Sequence, residues 1–303
     1  RFAAGSGAAI GVETVLLEEL ESLTADLGEP EPVSIDGEDL AEIMFTSGTT
    51  GDPKGVMLSH RNILANLESI QHFIPGEPYY RVLSLLPLSH MLEQMGGLFM
   101  VFGCGANVTY LTSMQPAAIM KTMKERRVVT MVLVPQVLTL FMNGIEAEVA
   151  RKGKQRTWDA LNRLAPRLPM RLRRILFAQV HRKMGGKVEF FVAGGAALDP
   201  VLAKKWTNMG IKVIEGYGAT ETSPVITIHP LANPRYGSAG LPASMCGSLG
   251  TAKCWSTDQT LPRATGKLQS RPRPFWKTAG TRRGTSALSM KRATCICPDA
   301  KRT

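Results

Sequence analysis

The chain has 303 residues, with 36 Lys and Arg against 25 Asp and Glu, a formal net charge of +11. Hydrophobic residues make up 44% and charged residues 20%, a balance that supplies a globular core and excludes a chain disordered throughout. The longest apolar run, around residues 96–106, is too short to cross a bilayer, and no secretory signal is read, so the sequence predicts a cytoplasmic protein.

In chain order, the first predicted strand covers residues 42–46 and the first helix 59–73. Between them residues 45–56 read F-T-S-G-T-T-G-D-P-K-G-V. Gly48 and Gly51 let backbone N–H groups turn toward phosphate oxygens. The hydroxyls of Thr46, Ser47, Thr49 and Thr50 add donors, and Lys54 adds a mobile positive charge. The spacing is not that of the Walker A loop, because Lys54 follows Gly51 by three positions and neither Ser nor Thr comes after it. The segment resembles the phosphate loop of the adenylate-forming (AMP-binding) enzymes, [YF]-T-S-G-[ST]-T-G-x-P-K-G-V, at every position.

A strand over 82–86 leads into L-P-L-S-H-M-L-E-Q, with His90 after the turn. The segment is similar to that family's strand-turn-helix beside the carboxylic-acid pocket, which makes His90 a pocket-lining candidate. A lone histidine after a strand is otherwise a hydrogen-bonded structural residue. The apolar run 95–102 reads as a core helix before it reads as the border of an acyl channel. A strand at 107–111, a helix at 116–127 opened by Pro116, a strand at 129–134 and a helix at 136–145 follow. Residues 151–174 hold nine Lys and Arg against the single Asp159. In the helix predicted over 170–184, Leu172, Ile175, Leu176 and Val180 share one face. That basic amphipathic pattern fits either inward packing with solvated arginines or contact of 151–184 with anionic lipid.

A strand at 188–193 turns through Gly194, Gly195 and Ala196, a helix covers 199–209, and a strand at 211–215 ends in Glu215-Gly216-Tyr217-Gly218-Ala219-Thr220-Glu221. Small residues after the first strand allow a flat base to approach the backbone, and Tyr217 offers a ring face for stacking. Glu221 can hold a hard divalent cation while the Thr220 hydroxyl reaches a phosphate oxygen. Taken alone, Tyr217 reads as a half-buried core tyrosine and Glu221 as a solvated carboxylate. After the first loop, the segment resembles the family's adenine and magnesium motif, G-Y-G-x-T-E.

The resemblance covers residues 10–242 and is nearest to bacterial long-chain fatty acyl-CoA synthetases. It implies an α/β fold of layered parallel sheets with covering helices, here an incomplete large adenylation domain over 1–242. It implies ATP, Mg²⁺ and coenzyme A as cofactors, a fatty acid as substrate, and Lys54, Thr220 and Glu221 as the residues closest to the chemistry. Cys104, the sole cysteine of this region, fits a reducing compartment.

Residues 241–303 differ in kind, with 12 Lys and Arg against 2 Asp and Glu, four of the five cysteines, and no Val, His or Glu. Their lack of periodicity predicts a disordered basic tail over 243–303. A shifted reading frame beginning between Gly240 and Met245 would explain it, because suitable synonymous codons then spell the family's next segments, including W-Y-K-T-G-D. No specific nucleic-acid binding is expected from such a tail. The family's ribose-binding aspartate, a following arginine and a carboxy-terminal lysine are not encoded in frame. The sequence therefore reads as a fragment, impaired in acyl-CoA formation, with a non-catalytic remnant or an adenylating enzyme for another acid or acceptor as alternatives.

Overall fold

The computed structural model describes residues 17–28, 31–47, 53–111, 113–243 and 253–256. Residues 1–36 form one unit and residues 37–303 another. In the first, a 3-10 turn at Leu17–Glu19 enters the short helix α1 (Leu20–Thr24). There the hydroxyls of Ser22 and Thr24 donate to the carbonyls of Glu19 and Leu20 at 2.8 and 2.9 Å.

The second unit starts with an antiparallel hairpin of β1 (Leu40–Ser47) and β2 (Pro53–Ser59). The sequence reading carries the loop through to Val56, whereas Pro53 onward is strand. Val56 and Leu58 are fully buried while Met57 between them is not, and this period of two fixes the segment as sheet. Ser59 then caps α2 (His60–Gln71), accepting from the Asn62 N–H at 3.3 Å, while the Ser59 N–H donates to Asn62 Oδ1 at 3.0 Å.

After α2 come β3 (Arg81–Ser84), α3 (Met91–Gln94), a π-helical turn at Met95–Phe99 and α4 (Met100–Gly103). Then follow β4 (Asn107–Tyr110), α5 (Pro116–Arg126), β5 (Thr130–Leu133), α6 (Pro135–Arg151), α7 (Gln155–Leu164), α8 (Met170–Leu176) and α9 (Ala178–Lys183). The remaining elements are β6 (Phe190–Ala193), α10 (Pro200–Asn208), β7 (Lys212–Gly218), β8 (Val225–Ile228), β9 (Leu241–Pro242) and β10 (Lys253–Ser256).

The main sheet has the order β4-β3-β5-β6-β7-β8-β9; β3 to β7 are parallel, and β8 and β9 run antiparallel. Alternation along the strands feeds two cores. Leu83, Met131, Phe191 and Val213 face one layer with Leu138, Phe141 and Trp206. Val82, Val129, Phe190 and Ile214 face the other with Val56, Ile63, Met91 and Met95. The rings of Phe191 and Trp206 meet edge-on at 5.2 Å, those of Tyr80 and Phe190 at 5.6 Å. The α/β class of layered parallel sheet and covering helices is thereby established.

Two expectations are corrected. The helix over 170–184 is interrupted at Phe177, whose ring is buried edge-on against Trp158 at 5.4 Å, leaving α8 and α9 as separate pieces. The apolar face does not hold across that break, since Ile175 is 70% exposed. Arg173 and Arg174 instead turn inward, donating to the carbonyls of Leu168 and Val188 at 2.8 and 2.5 Å. The tail read as wholly disordered contains β10, which pairs antiparallel with β2 from Lys253↔Met57 to Ser256↔Lys54. An open strand edge pairs through its backbone and asks little of the partner's side chains. Residues 244–252 and 257–303 lie outside the described residues.

Candidate functional site

Three of the segments singled out in the sequence emerge at the carboxyl ends of the parallel strands, where open α/β sheets bind ligands. Residues 85–90 follow β3, Gly194 and Gly195 follow β6, and residues 216–221 close β7. Pairing of Ala193 with Glu215 in the β6–β7 ladder sets the last two turns side by side.

The first motif is a hairpin whose tip, residues 48–52, lies outside the described residues, so Gly48, Thr49, Thr50 and Gly51 are not placed. Its base is defined: Thr46 pairs with Lys54 and Ser47 with Pro53. The Thr46 hydroxyl donates to the Lys54 carbonyl at 3.5 Å, and Lys54 is half-buried. Strand β2 packs against the 3-10 turn Thr220–Thr222, so the strand carrying Lys54 and the turn carrying Thr220 and Glu221 are neighbours. Asn66 of α2, fully buried, locks the arrangement. Its amide donates to the Val225 and Thr222 carbonyls at 2.9 and 3.2 Å and accepts from the Val225 N–H at 3.3 Å.

In the turn after β6, Gly194 sits close against Leu92. A Cβ there would stand 3.1 Å from Leu92 Cδ2 and 3.6 Å from the Gly216 carbonyl. Gly195 has φ +77°, a conformation that suits glycine. Glu215 braces this turn by accepting the Leu198 N–H at 3.1 Å, and burial pushes its carboxyl above the usual carboxylate range. Ala196 is exposed beside it. Tyr217 is 57% exposed, presenting its ring to solvent. Gly218 lies against the backbone of Pro224 and Val225, and the Ala219 N–H donates to the Pro224 carbonyl at 2.9 Å.

Thr220 and Glu221 are half-buried, and among the described residues Glu221 makes no ion pair. No group of three or more His, Cys, Asp or Glu side chains that could hold a metal occurs among the described residues. A single carboxylate beside a phosphate loop nevertheless suits Mg²⁺, which takes one or two carboxylates plus substrate phosphates. The donor set fits a magnesium nucleotide, with an unhindered glycine turn, an exposed aromatic face, a lysine and a free carboxylate.

His90 is exposed at the position preceding α3, two residues from Leu92, which touches the glycine turn. Behind Leu92 lies an apolar cavity of about 70 Å³ between α2, the Met91–Gly103 helical run and the sheet, bounded also by Met95, Val132 and Ile228. Met95, Gly97 and Val101 of the run 95–102 are buried in the core while Phe102 is exposed, and Met95, Gly96, Met100 and Val101 border this cavity.

Sequence reasoning missed Glu93. It is fully buried; burial pushes its carboxyl up, opposed by the Ser84 hydroxyl and the amides of Leu86 and Leu85 that face it. Neither of its oxygens reaches a partner with good hydrogen-bond geometry. The available signal was an acid inside an apolar helix, three positions after His90. Glu42 of β1 is likewise raised by burial, opposed by a hydrogen bond from Gln94, which seats the hairpin beside α3.

Residues 6–248 match the family model described as AMP-binding enzyme. The chain is 31% identical over 259 residues to the probable acyl-activating enzyme 16, chloroplastic, of Arabidopsis thaliana, covering 72% of this chain and 35% of that protein. It is 29% identical over 255 residues to long-chain-fatty-acid–CoA ligase 5 of Rattus norvegicus, covering 78% and 36%. Among solved structures it resembles ATP-bound MatB from Rhodopseudomonas palustris, with a TM-score of 0.51 and 25% identity over 69% of this chain and 35% of that one. The chain spans about a third of the length of the curated relatives it matches. With four fifths of its length inside one family model, the chain belongs to the AMP-binding enzymes, close to the fatty acyl-CoA synthetases.

Proposed function

We infer that the chain carries the nucleotide-binding half of an ATP-dependent fatty acid activation, in which the acid forms an acyl-adenylate and pyrophosphate and is then passed to coenzyme A. The packing of β2 against Thr220–Thr222 supports this reading, because it sets the strand that carries Lys54 beside the turn that carries Thr220 and Glu221. Lys54 and the Thr46 and Ser47 region bind the triphosphate and disperse the charge that develops as pyrophosphate leaves. Gly194, Gly195, Ala196 and Gly216 admit the adenine ring edge-on, and the exposed face of Tyr217 stacks against it. Glu215 orients that turn, while Thr220 donates to a phosphate oxygen. Glu221 would hold Mg²⁺, which would supply positive charge to the phosphoryl group. His90 and the cavity behind Leu92 stand on the acid's side.

Palmitate-dependent exchange of label between pyrophosphate and ATP tests the reading. Exchange is expected only when acid, ATP and Mg²⁺ are all present. A folded chain that binds no MgATP by titration calorimetry and shows no exchange overturns it.

A second reading concerns where the acid is collected. Leu172 and Ile175 stand exposed next to Arg171 at the α8 surface, an arrangement that favours peripheral contact of 151–184 with anionic lipid. Sedimentation with liposomes that is indifferent to anionic lipid content rules this out. No helix among the described residues is long and apolar enough to cross a membrane.

A further inference from the structure

A second concavity, of about 980 Å³, lies between α5, α6 and α9. None of its lining residues belongs to the nucleotide motifs. Its floor is apolar, built from Met120, Phe141, Ile145, Val149, Met184 and Trp206. Its rim is cationic, with Lys121, Lys124, Lys152, Lys154 and Lys183 against Glu125 and Glu148. Glu148 is already neutralised, since Lys152 at 2.8 Å and Lys183 both bond to it and hold its carboxyl down at about 2. Glu125 lies 3.9 Å from Lys121. Among the described residues Lys124 and Lys154 have no ion-pair partner, so the rim keeps unspent positive charge.

Two further observations indicate a built concavity. Gly144 sits in the interior of α6, where glycine costs roughly 1 kcal/mol relative to alanine. A Cβ placed there would meet nothing within 4 Å. The helix therefore leaves out a side chain exactly where one would fill the groove. Trp206, which lines the floor, is fully buried with an indole Nε1 that finds no acceptor.

We propose that the groove between α5, α6 and α9 is a second ligand site that takes a long-chain fatty carboxylate, its alkyl chain on the apolar floor and its anionic head on Lys124 and Lys154. Cavities of about 300–1,000 Å³ enclose most of a single small amphiphile, and an apolar floor with a cationic edge complements one chain bearing one negative charge. The choice of a carboxylate as the head group rests on the function proposed above. None of the residues that line the groove belongs to the nucleotide motifs, so groove label and ATP–pyrophosphate exchange are read separately.

The test uses palmitate carrying a mid-chain diazirine, photolysed with the protein in the absence of ATP, with labelled peptides mapped by mass spectrometry. Label is expected on α5, α6 and α9. Gly144→Trp, whose Cβ meets nothing within 4 Å and whose ring adds bulk at the groove, and the pair Lys124→Glu with Lys154→Glu, which reverses the rim, act on different elements. Each is expected to lower that label about tenfold, with circular dichroism unchanged. Palmitate is expected to compete with the probe, and its neutral methyl ester to compete far less. Label confined to the cavity behind Leu92, groove label indifferent to both changes, or displacement only by an acidic helical peptide overturns the proposal. Loss of ATP–pyrophosphate exchange bears on the proposed function alone.

Discussion

Glu93 concentrates the electrostatic tension of the site in one side chain. Its carboxyl is fully buried and its folded pKa is raised above the unfolded value of 4.5, with desolvation the leading cause. A raised folded pKa means stability present below pH 4.5 and lost as pH climbs through the folded value, with a slope of at most about 1.4 kcal/mol per pH unit. Glu93→Gln should match the parent in acid and exceed it at alkaline pH, read as the midpoint of urea unfolding across pH. A constant offset between the two curves would show that the ionisation does not matter. Lys54 poses a functional question at the same scale. Lys54→Ala should lower palmitate-dependent exchange by about 10²–10³-fold, the usual cost of losing one preorganised charge partner, with the melting temperature unchanged. An equal fall in both would make Lys54 structural.

Between elements, Asn66 joins α2, which follows the hairpin, to residues 222–225, which follow the second motif. Asn66 makes three hydrogen bonds there while fully buried, so Asn66→Ala strands the Val225 N–H and two carbonyls. That should cost about 1–3 kcal/mol by denaturant titration and weaken MgATP binding in parallel. A stability loss with ATP affinity intact would separate the two motifs energetically. At α6, Gly144→Ala should stabilise by about 0.5–1 kcal/mol, measured as a raised melting temperature, because nothing crowds the added methyl group.

Elements also mark how far the sequence could be read. Strands β3, β5, β6 and β7 were legible because they are short apolar runs bounded by turns, and Pro116 and Asp199-Pro200 announced α5 and α10. Strand β2 was not, since Pro53, Lys54 and Gly55 all disfavour sheet individually and only cross-strand pairing with β1 overrides them. The split at Phe177 was hidden because an aromatic continues a helical pattern, and only the buried contact with Trp158 shows why the chain turns. Within the site, the strand-end motifs were legible as residue types at fixed spacing. Glu93 was not, as its burial follows from tertiary packing.

At the scale of the molecule, one sheet divides two apolar layers, and the alternation of Phe190 with Phe191 and Ile214 with Val213 assigns residues to each. Trp206 anchors the layer away from β2, so Trp206→Ala should cost about 3–5 kcal/mol of unfolding free energy. The net charge is likewise divided. Residues 241–303 hold 12 of the 36 basic residues and only 2 of the 25 acidic ones, leaving residues 1–240 at 24 against 23, close to neutral. Strand β10 shows that this basic stretch pairs with the hairpin at one point, edge to edge with β2.

The π-helical turn at Met95–Phe99, where the Met100 N–H reaches back to the Met95 carbonyl, stores one surplus residue in an otherwise ordinary helical run. Excising Gly96 would close that turn to the ordinary spacing of one bond every four residues, with the stretches on either side keeping their phase. A single-codon deletion there should therefore regularise the spiral and leave Leu92 where it stands, so the widened turn is a local ornament of the run and not the device that aims it.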